Sequence, residues 1–321
     1  MSDEIELLAF ERSGLPASAV VATTPDERKR LLSALLDGAR EALLLVTCER
    51  LELYARGARP GVVLSRLASG LGVRACDLET LLVAKSRRFP EQHLLRVAAG
   101  LESRLVGEPQ IQGQVRAAFL EAEAAGAIGP VLGALGRAAI HAGKRVRAET
   151  GLGRAPSLVA LTLARLSEEL GGLHRRSVAV VGTGSLAAEI TTALRAAGAG
   201  RLLVASRTPE RAADLAARVR GVAVREEDID SERAIDAVVA CTNHRVALHD
   251  RRRLVIDLGV PPNVDPGPRV VRLSDLTAES RASRPAEVRA AEALVALELQ
   301  RFARWRAARR EHARKQSREA A

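Results

Sequence analysis

Aromatic side chains are almost missing from this sequence. They make up 2% of it, with one Trp, one Tyr and four Phe, so a base-stacking aromatic platform is a poor expectation. Cysteine is scarce too. Cys48, Cys76 and Cys241 are too widely spaced for a metal pattern and cannot all pair, so no metal is expected and a reduced, cytoplasmic compartment is the simplest account. No apolar run approaches the length that spans a bilayer and no signal peptide opens the chain, so no membrane partner is expected. There is also no internal repeat.

What is present is a chain of 321 residues, 47% hydrophobic and rich in Leu, Val, Ala and Arg. That length suits two or three domains with a substantial core and excludes global disorder. The net charge is +10 and is uneven, with eleven Lys/Arg against five Asp/Glu in residues 281–321. Such a basic end fits either a polyanionic partner or a solvated Arg-rich helix.

Residues 1–150 read as a compact α+β unit. Ile5–Phe10, Ala19–Ala22 and Ala42–Val46 have the pattern of strands, and Pro25–Gly38 and Gly61–Leu71 that of helices. A helical pattern from His93 to Glu123 is broken at Gly107-Glu108-Pro109. Another helix runs from Gly129-Pro130 to about Arg147. Residues 151–282 begin in a Gly-rich linker and a helix capped by Ser157. Strands at 177–181, 201–205, 237–240 and 254–257 then alternate with helices at 186–198 and 209–219, which predicts an α/β Rossmann-type, doubly wound domain. Residues 283–321 form one long basic helix from about Ala286 to Ser317. On it Leu294, Leu297, Arg301, Trp305 and Ala308 share a mixed stripe that does not predict a strong coiled coil.

Two features carry chemistry. Cys48 follows the apolar strand Ala42–Val46, and Arg50 two residues on would favour the thiolate, the nucleophilic form. Gly182-Thr183-Gly184-Ser185-Leu186-Ala187 fits G-x-G-x-x-G/A between a strand and a helix, the context a dinucleotide loop requires. At the end of the next strand Ser206-Arg207-Thr208 offers donors and a positive charge, with no acid for a ribose 2′-hydroxyl. NADPH is therefore expected over NADH. A nucleophilic thiol with a hydride carrier suggests a thioester that is then reduced.

From about residue 40 to 310 the chain resembles the glutamyl-tRNA reductases. The resemblance rests on Thr47-Cys48-Glu49-Arg50 with Glu52 and Tyr54, on the segment from His93 to Ser103, and on Gly107-Glu108-Pro109-Gln110-Ile111 with Gly113-Gln114-Val115. Lys144–Arg147, Glu149–Arg154 and Asp257-Leu258-Gly259-Val260-Pro261 extend it. It implies that Cys48 attacks the ester joining glutamate to tRNA(Glu) and that the thioester is reduced to glutamate-1-semialdehyde, the first step of tetrapyrrole (heme) biosynthesis. Arg50 would hold the glutamate carboxylate bidentately. Thr47, Glu49, Ser103, Glu108, Pro109, Gln110 and Gln114 would line the same site. His93 would polarise or transfer a proton near the thiol. The resemblance also implies docking of the aminomutase that consumes the product.

The family usually has Asn at the position of Glu49 and Met at that of Arg104, so these two are expected to pair and neutralise each other. Phe10-Glu11-Arg12-Ser13 departs from the family's His-Lys-Thr-like segment. The chain ends at Ala321 where family members continue for another helical domain, giving the expectation of a monomer or a helix-mediated dimer. The competing readings are a catalytically degenerate paralogue that binds tRNA or NADPH as a regulator or scaffold, and a generic dehydrogenase of a small acid.

Overall fold

A three-stranded antiparallel sheet organises the first part of the chain, in the order β1 (Ile5–Glu11), β3 (Arg50–Arg56), β2 (Glu41–Val46). The computed structural model describes all residues except 1–3, 17–18, 20–23, 48, 84–88, 109, 155, 233, 243, 283 and 320–321, and leaves out the side chains of 13, 154, 279–282 and 317–319. The strands expected at Ile5–Phe10 and Ala42–Val46 are present. Of Ala19–Ala22 only Ala19 is among the described residues. The central strand β3 was not expected, because Glu52 interrupts its apolar pattern. It pairs Phe10 with Leu51 on one side and Val46 with Leu51 on the other, so Leu51, Leu53 and Tyr54 are fully buried.

Contacts within the chain define two units, Met1–Ala155 with Arg284–Ala321, and Pro156–Ser283. In the first, helices α1 (Pro25–Leu35), α2 (Pro60–Leu71), α3 (Ala75–Thr80), α4 (Pro90–Ala98), α5 (Gln110–Ala124) and α6 (Pro130–Glu149) surround the sheet. Helix α1 starts with a reciprocal capping box between Thr24 and Glu27. The buried Glu41 carboxylate accepts from Leu132 N at 2.6 Å and Val131 N at 3.3 Å, satisfying the first turn of α6, and pairs with Arg56 at 2.8 Å. Glycine lets α6 approach α4: a Cβ at Gly143 would lie 2.5 Å from the Ala98 carbonyl oxygen.

Between α4 and α5 the chain doubles back at Gly100 and Gly107, both with positive φ. Gly107 N donates to Gly100 O at 3.0 Å, and a Cβ at Gly100 would sit 3.1 Å from the Gly107 Cα. This fold-back carries residues 101–108.

The long helix α11 (Pro285–Glu319) lies against α4 and α6. Its buried stripe is Ala291, Val295, Glu298 and Phe302, next to the stripe singled out from the sequence, of which Leu297 and Trp305 are exposed. Charge decides the rotation. Glu298 receives Arg145 at 2.9 Å and His141 at 3.2 Å, and Glu292 receives Arg96 at 2.5 Å.

The second unit contains α7 (Leu158–Leu170), capped by Ser157 as expected. A six-stranded parallel sheet follows, in the order β6 (Val222–Arg225), β5 (Leu202–Ser206), β4 (Val178–Val181), β7 (Ala237–Ala240), β8 (Leu254–Asp257), β9 (Val270–Arg272). This is the Rossmann order. Strands β6 and β9 were not anticipated: they are the outer strands, exposed or only half-buried, and lack the fully buried apolar run that marks β4, β7 and β8. Helices α7, α8 (Ser185–Ala196), α9 (Pro209–Arg218) and α10 (Leu273–Ala282) contribute to the core on one face. Ile229, Ile235, Val246 and Val264, from irregular segments, cover the other. No helix among the described residues is long and apolar enough to cross a membrane.

Gly143→Ala should force α4 and α6 apart and cost about 1–3 kcal/mol. The sole tryptophan, Trp305, lies in α11 of the same unit, so its fluorescence during guanidinium unfolding reports the lowered midpoint.

Candidate functional site

A carboxylate buried in the middle of β3 is the centre of the first unit's polar cluster. Glu52 is 2% exposed and must be satisfied by the protein. Tyr54 Oη donates to its Oε2 at 2.7 Å, His93 Nε2 lies 2.9 Å from Oε1, and Arg50 Nη1 lies 3.4 Å from Oε1. Burial pushes the Glu52 carboxyl up, but His93, Arg50 and Tyr54 outweigh it, and the net shift is below the usual carboxylate range. Burial first, and Glu52 second, push the Tyr54 phenol well up, so it stays a donor. A carboxylate only accepts, so His93 carries a proton on Nε2, and Nδ1 faces away from Glu52.

Arg50 leaves β3 toward the fold-back after α4. Its Nη2 donates to the Glu102 carbonyl at 2.5 Å and lies 3.6 Å from Glu49. The Glu102 side chain is bonded to Arg96, which also holds Glu292 on α11. Glu49 is itself 3.5 Å from Arg104, so the pairing expected from the sequence is formed.

Thr47, Glu49 and Arg50 are held from two sides. Thr47 Oγ1 accepts from Glu49 N at 3.2 Å and Arg50 N at 3.1 Å, and Thr47 N donates to Arg50 O at 2.9 Å. Arg12 Nη1 donates to Thr47 O and Arg12 N to Glu49 O, both at 2.9 Å. Cys48 and Pro109 lie outside the described residues. Ser103 is buried and hydrogen-bonded to Glu108. Burial, then the charge of Glu49, raise the Glu108 carboxyl above its usual value, against the opposing pull of Arg50, Ser103 and Arg147. Gln110 opens α5 on the exposed side and Gln114, one turn on, is half-buried.

The structure thus joins Thr47, Glu49, Arg50, His93, Ser103 and Glu108 in one cluster. Sequence reasoning gave no role to Glu52, Tyr54, Glu102 or Arg12. An acid flanked by buried leucines on a strand was the available signal for Glu52. Arg12 and the Glu102 carbonyl had none, since their parts depend on chain crossings. The other two thiols are accounted for: Cys76 is exposed on α3, and burial pushes the Cys241 thiol up to about 12, with Asp257 adding to it.

In the second unit Gly182 sits at φ +120° at the end of β4, and a Cβ there would collide with the Cys241 carbonyl. Gly184 caps α8 with no side-chain bond to the first turn, and a Cβ there would meet nothing within 4 Å. The helix N-terminus is therefore left open with unspent N–H groups, which fits a pyrophosphate. Ala187 is fully buried, as close helix–sheet packing requires. Thr183, Ser185 and Leu186 complete the turn. Ser206 ends β5, and Arg207 and Thr208 are exposed beyond it. Asp257, at the end of β8, accepts from Gly259 N, Asn263 N and Val264 N at 2.7–2.9 Å and fixes the following loop.

A Rossmann-type nucleotide-binding domain, joined to an α+β unit with an acid–histidine–arginine cluster, is an arrangement suited to an oxidoreductase. Residues 10–150 match the model of the glutamyl-tRNAGlu reductase N-terminal domain, and residues 164–277 that of shikimate/quinate 5-dehydrogenase. Glutamyl-tRNA reductase 2 of Nocardioides sp. is 38% identical over 94% of this chain and 71% of its own length. The glutamyl-tRNA reductase of Deinococcus radiodurans is 36% identical over 86% and 84%. The structure of glutamyl-tRNA reductase from Methanopyrus kandleri aligns with a TM-score of 0.49 at 30% identity, covering 95% of this chain and 80% of that one. The chain belongs to the glutamyl-tRNA reductase family.

Glu52→Ala removes the carboxylate shared by Arg50 Nη1, His93 and the buried Tyr54 hydroxyl, and should cost about 3–5 kcal/mol at neutral pH. Because the folded pKa of Glu52 is depressed, its contribution is complete above the ordinary value of 4.5 and fades as pH falls through the folded value. The stability gap between the native chain and Glu52→Gln should shrink over that acidic window in Trp305-monitored unfolding. In the second unit, Gly184→Ala should leave stability unchanged and weaken nicotinamide dinucleotide binding about tenfold. Gly182→Ala should destabilise that unit by about 1–3 kcal/mol. Calorimetric binding and thermal unfolding separate the two effects.

Proposed function

We infer that this protein reduces glutamyl-tRNA(Glu) to glutamate-1-semialdehyde, the first step of tetrapyrrole synthesis, using NADPH. The observation that carries this reading is the Glu52-centred cluster, which gathers a cation, a proton-carrying imidazole and the backbone-held Thr47 and Glu49 in a chain of this family. Cys48 is assigned the nucleophile. Its thiolate attacks the glutamyl ester carbonyl, and the 3′ oxygen of the tRNA leaves with a proton, giving an acyl thioester. The high pKa of Cys241 supports this choice, since that thiol stays protonated at neutral pH.

Arg50 is assigned the side-chain carboxylate of the glutamyl group, which a planar guanidinium binds bidentately. Glu102 and Glu52 hold it from behind. Thr47, Glu49, Ser103, Glu108, Pro109, Gln110 and Gln114 are assigned the walls of the same pocket. His93, which Glu52 contacts through Nε2, is assigned the proton relay: its Nδ1 takes the Cys48 thiol proton and passes it to the leaving oxygen. When bound, the dinucleotide supplies the hydride that turns the thioester into the aldehyde and releases the thiolate. Gly182–Ala187 take its pyrophosphate. Ser206, Arg207 and Thr208 take a ribose 2′-phosphate, the basis for NADPH over NADH.

NADPH oxidation driven by glutamyl-tRNA tests the reading. Turnover in the native chain should vanish in Cys48→Ser, with tRNA binding retained. Arg207→Ala should reduce the preference for NADPH over NADH by about tenfold. A native chain that binds charged tRNA without oxidising NADPH would refute it.

A further inference from the structure

Glu49 stands between two guanidiniums at the mouth of the cluster. Its Oε2 is 3.6 Å from Arg50 Nη2 and its Oε1 is 3.5 Å from Arg104 Nε. Exposure rises along this row: the side chains of Arg50, Glu49 and Arg104 are 13%, 24% and 41% exposed. Arg50 is the inner member and Arg104 the solvent end.

The arrangement sets a problem for an incoming carboxylate. Arg50 already faces the anion of Glu52, and with Glu49 also beside it the local charge without Arg104 would be negative. A substrate carboxylate would then compete with Glu49 for the same Nη2 and be repelled by both acids. Arg104 changes this balance. It gives Glu49 a second partner on the side away from Arg50 and restores the missing positive charge. Arg12, just after β1, and Thr47 engage only the backbone of Glu49.

We propose that Arg104 is a specificity-determining residue for the anionic side chain of the substrate: it draws Glu49 off Arg50 and so keeps Arg50 available to a carboxylate. This rests on the assignment of Arg50 as the carboxylate-binding residue. Arg104 does not itself need to touch the ligand; it acts through Glu49 and is a positioning residue. Glu108 lies beside the same row of charges. It is faced by Glu49 from the turn before β3, Arg50 from β3, Ser103 from the fold-back and Arg147 from α6.

The test uses two stable probes, the 3′-amide of adenosine with L-glutamate and that with L-glutamine, titrated calorimetrically into the full chain. The native chain should prefer the glutamyl probe. Arg104→Met should weaken that probe about three- to fivefold, since solvent screens the exposed Arg104, and leave the glutaminyl probe unchanged. Glu49→Asn with Arg104→Met should recover native affinity to about twofold, and Arg104→Lys alone should retain most of it. Equal weakening of both probes, or a double variant as weak as Arg104→Met, would overturn the proposal. Probe binding is read without turnover. If the predicted pattern appears but charged tRNA is not reduced, the reductase reading fails and the role of Arg104 stands.

Discussion

A carboxylate in the core must be paired, and in this protein that requirement organises the site. Glu52 is buried because β3 is the middle strand of its sheet. Removing a charged group from water costs several kcal/mol unless charge and hydrogen bonds replace the water. The replacements come from three places: Tyr54 on the same strand, Arg50 at its start, and His93 on α4. Meeting the needs of one acid therefore fixes an imidazole and a guanidinium relative to each other. The proton on His93 Nε2 follows from the same bond.

The cluster is coupled to packing farther away. Arg50 reaches the Glu102 carbonyl, the Glu102 side chain is bonded to Arg96, and Arg96 is 2.5 Å from Glu292 on α11. The fold-back bearing Glu102 exists because Gly100 and Gly107 approach within backbone contact at positive φ. Small residues thus permit the chain reversal and long ion pairs hold it. The long helix earns its orientation the same way. It buries Ala291, Val295 and Phe302, but Glu298 sits in the same stripe because Arg145 and His141 receive it.

In the second unit the constraints are steric. Gly182 has no room for a side chain, whereas Gly184 has open space in front of it. The first glycine is required by the protein's own turn, and the second leaves the start of α8 open. Asp257 spends its buried carboxylate on three backbone amides rather than on chemistry, which stiffens the loop beyond β8. It also helps hold the Cys241 thiol protonated.

Much of this was legible in the sequence where the signal is local. The dinucleotide turn, the Ser157 cap, the apolar strands β2 and β4 and the break at Gly107 are each written in a few adjacent residues, because turn geometry and periodicity act over one or two helical turns. The outer strands β6 and β9 were not legible, since they are exposed or half-buried and carry no unbroken apolar run like that of β4. Nor was β3, where a satisfied acid reads as an interruption. The Glu49–Arg104 pair was anticipated from opposite charges, yet the sharing of Glu49 with Arg50 needed three-dimensional distances. The sequence alone determined the kinds of groups available and the local elements that hold them. Only the tertiary structure decided which partners Glu52, Arg50 and Glu298 find, because a buried charge is satisfied by residues distant along the chain, and that choice is made by packing.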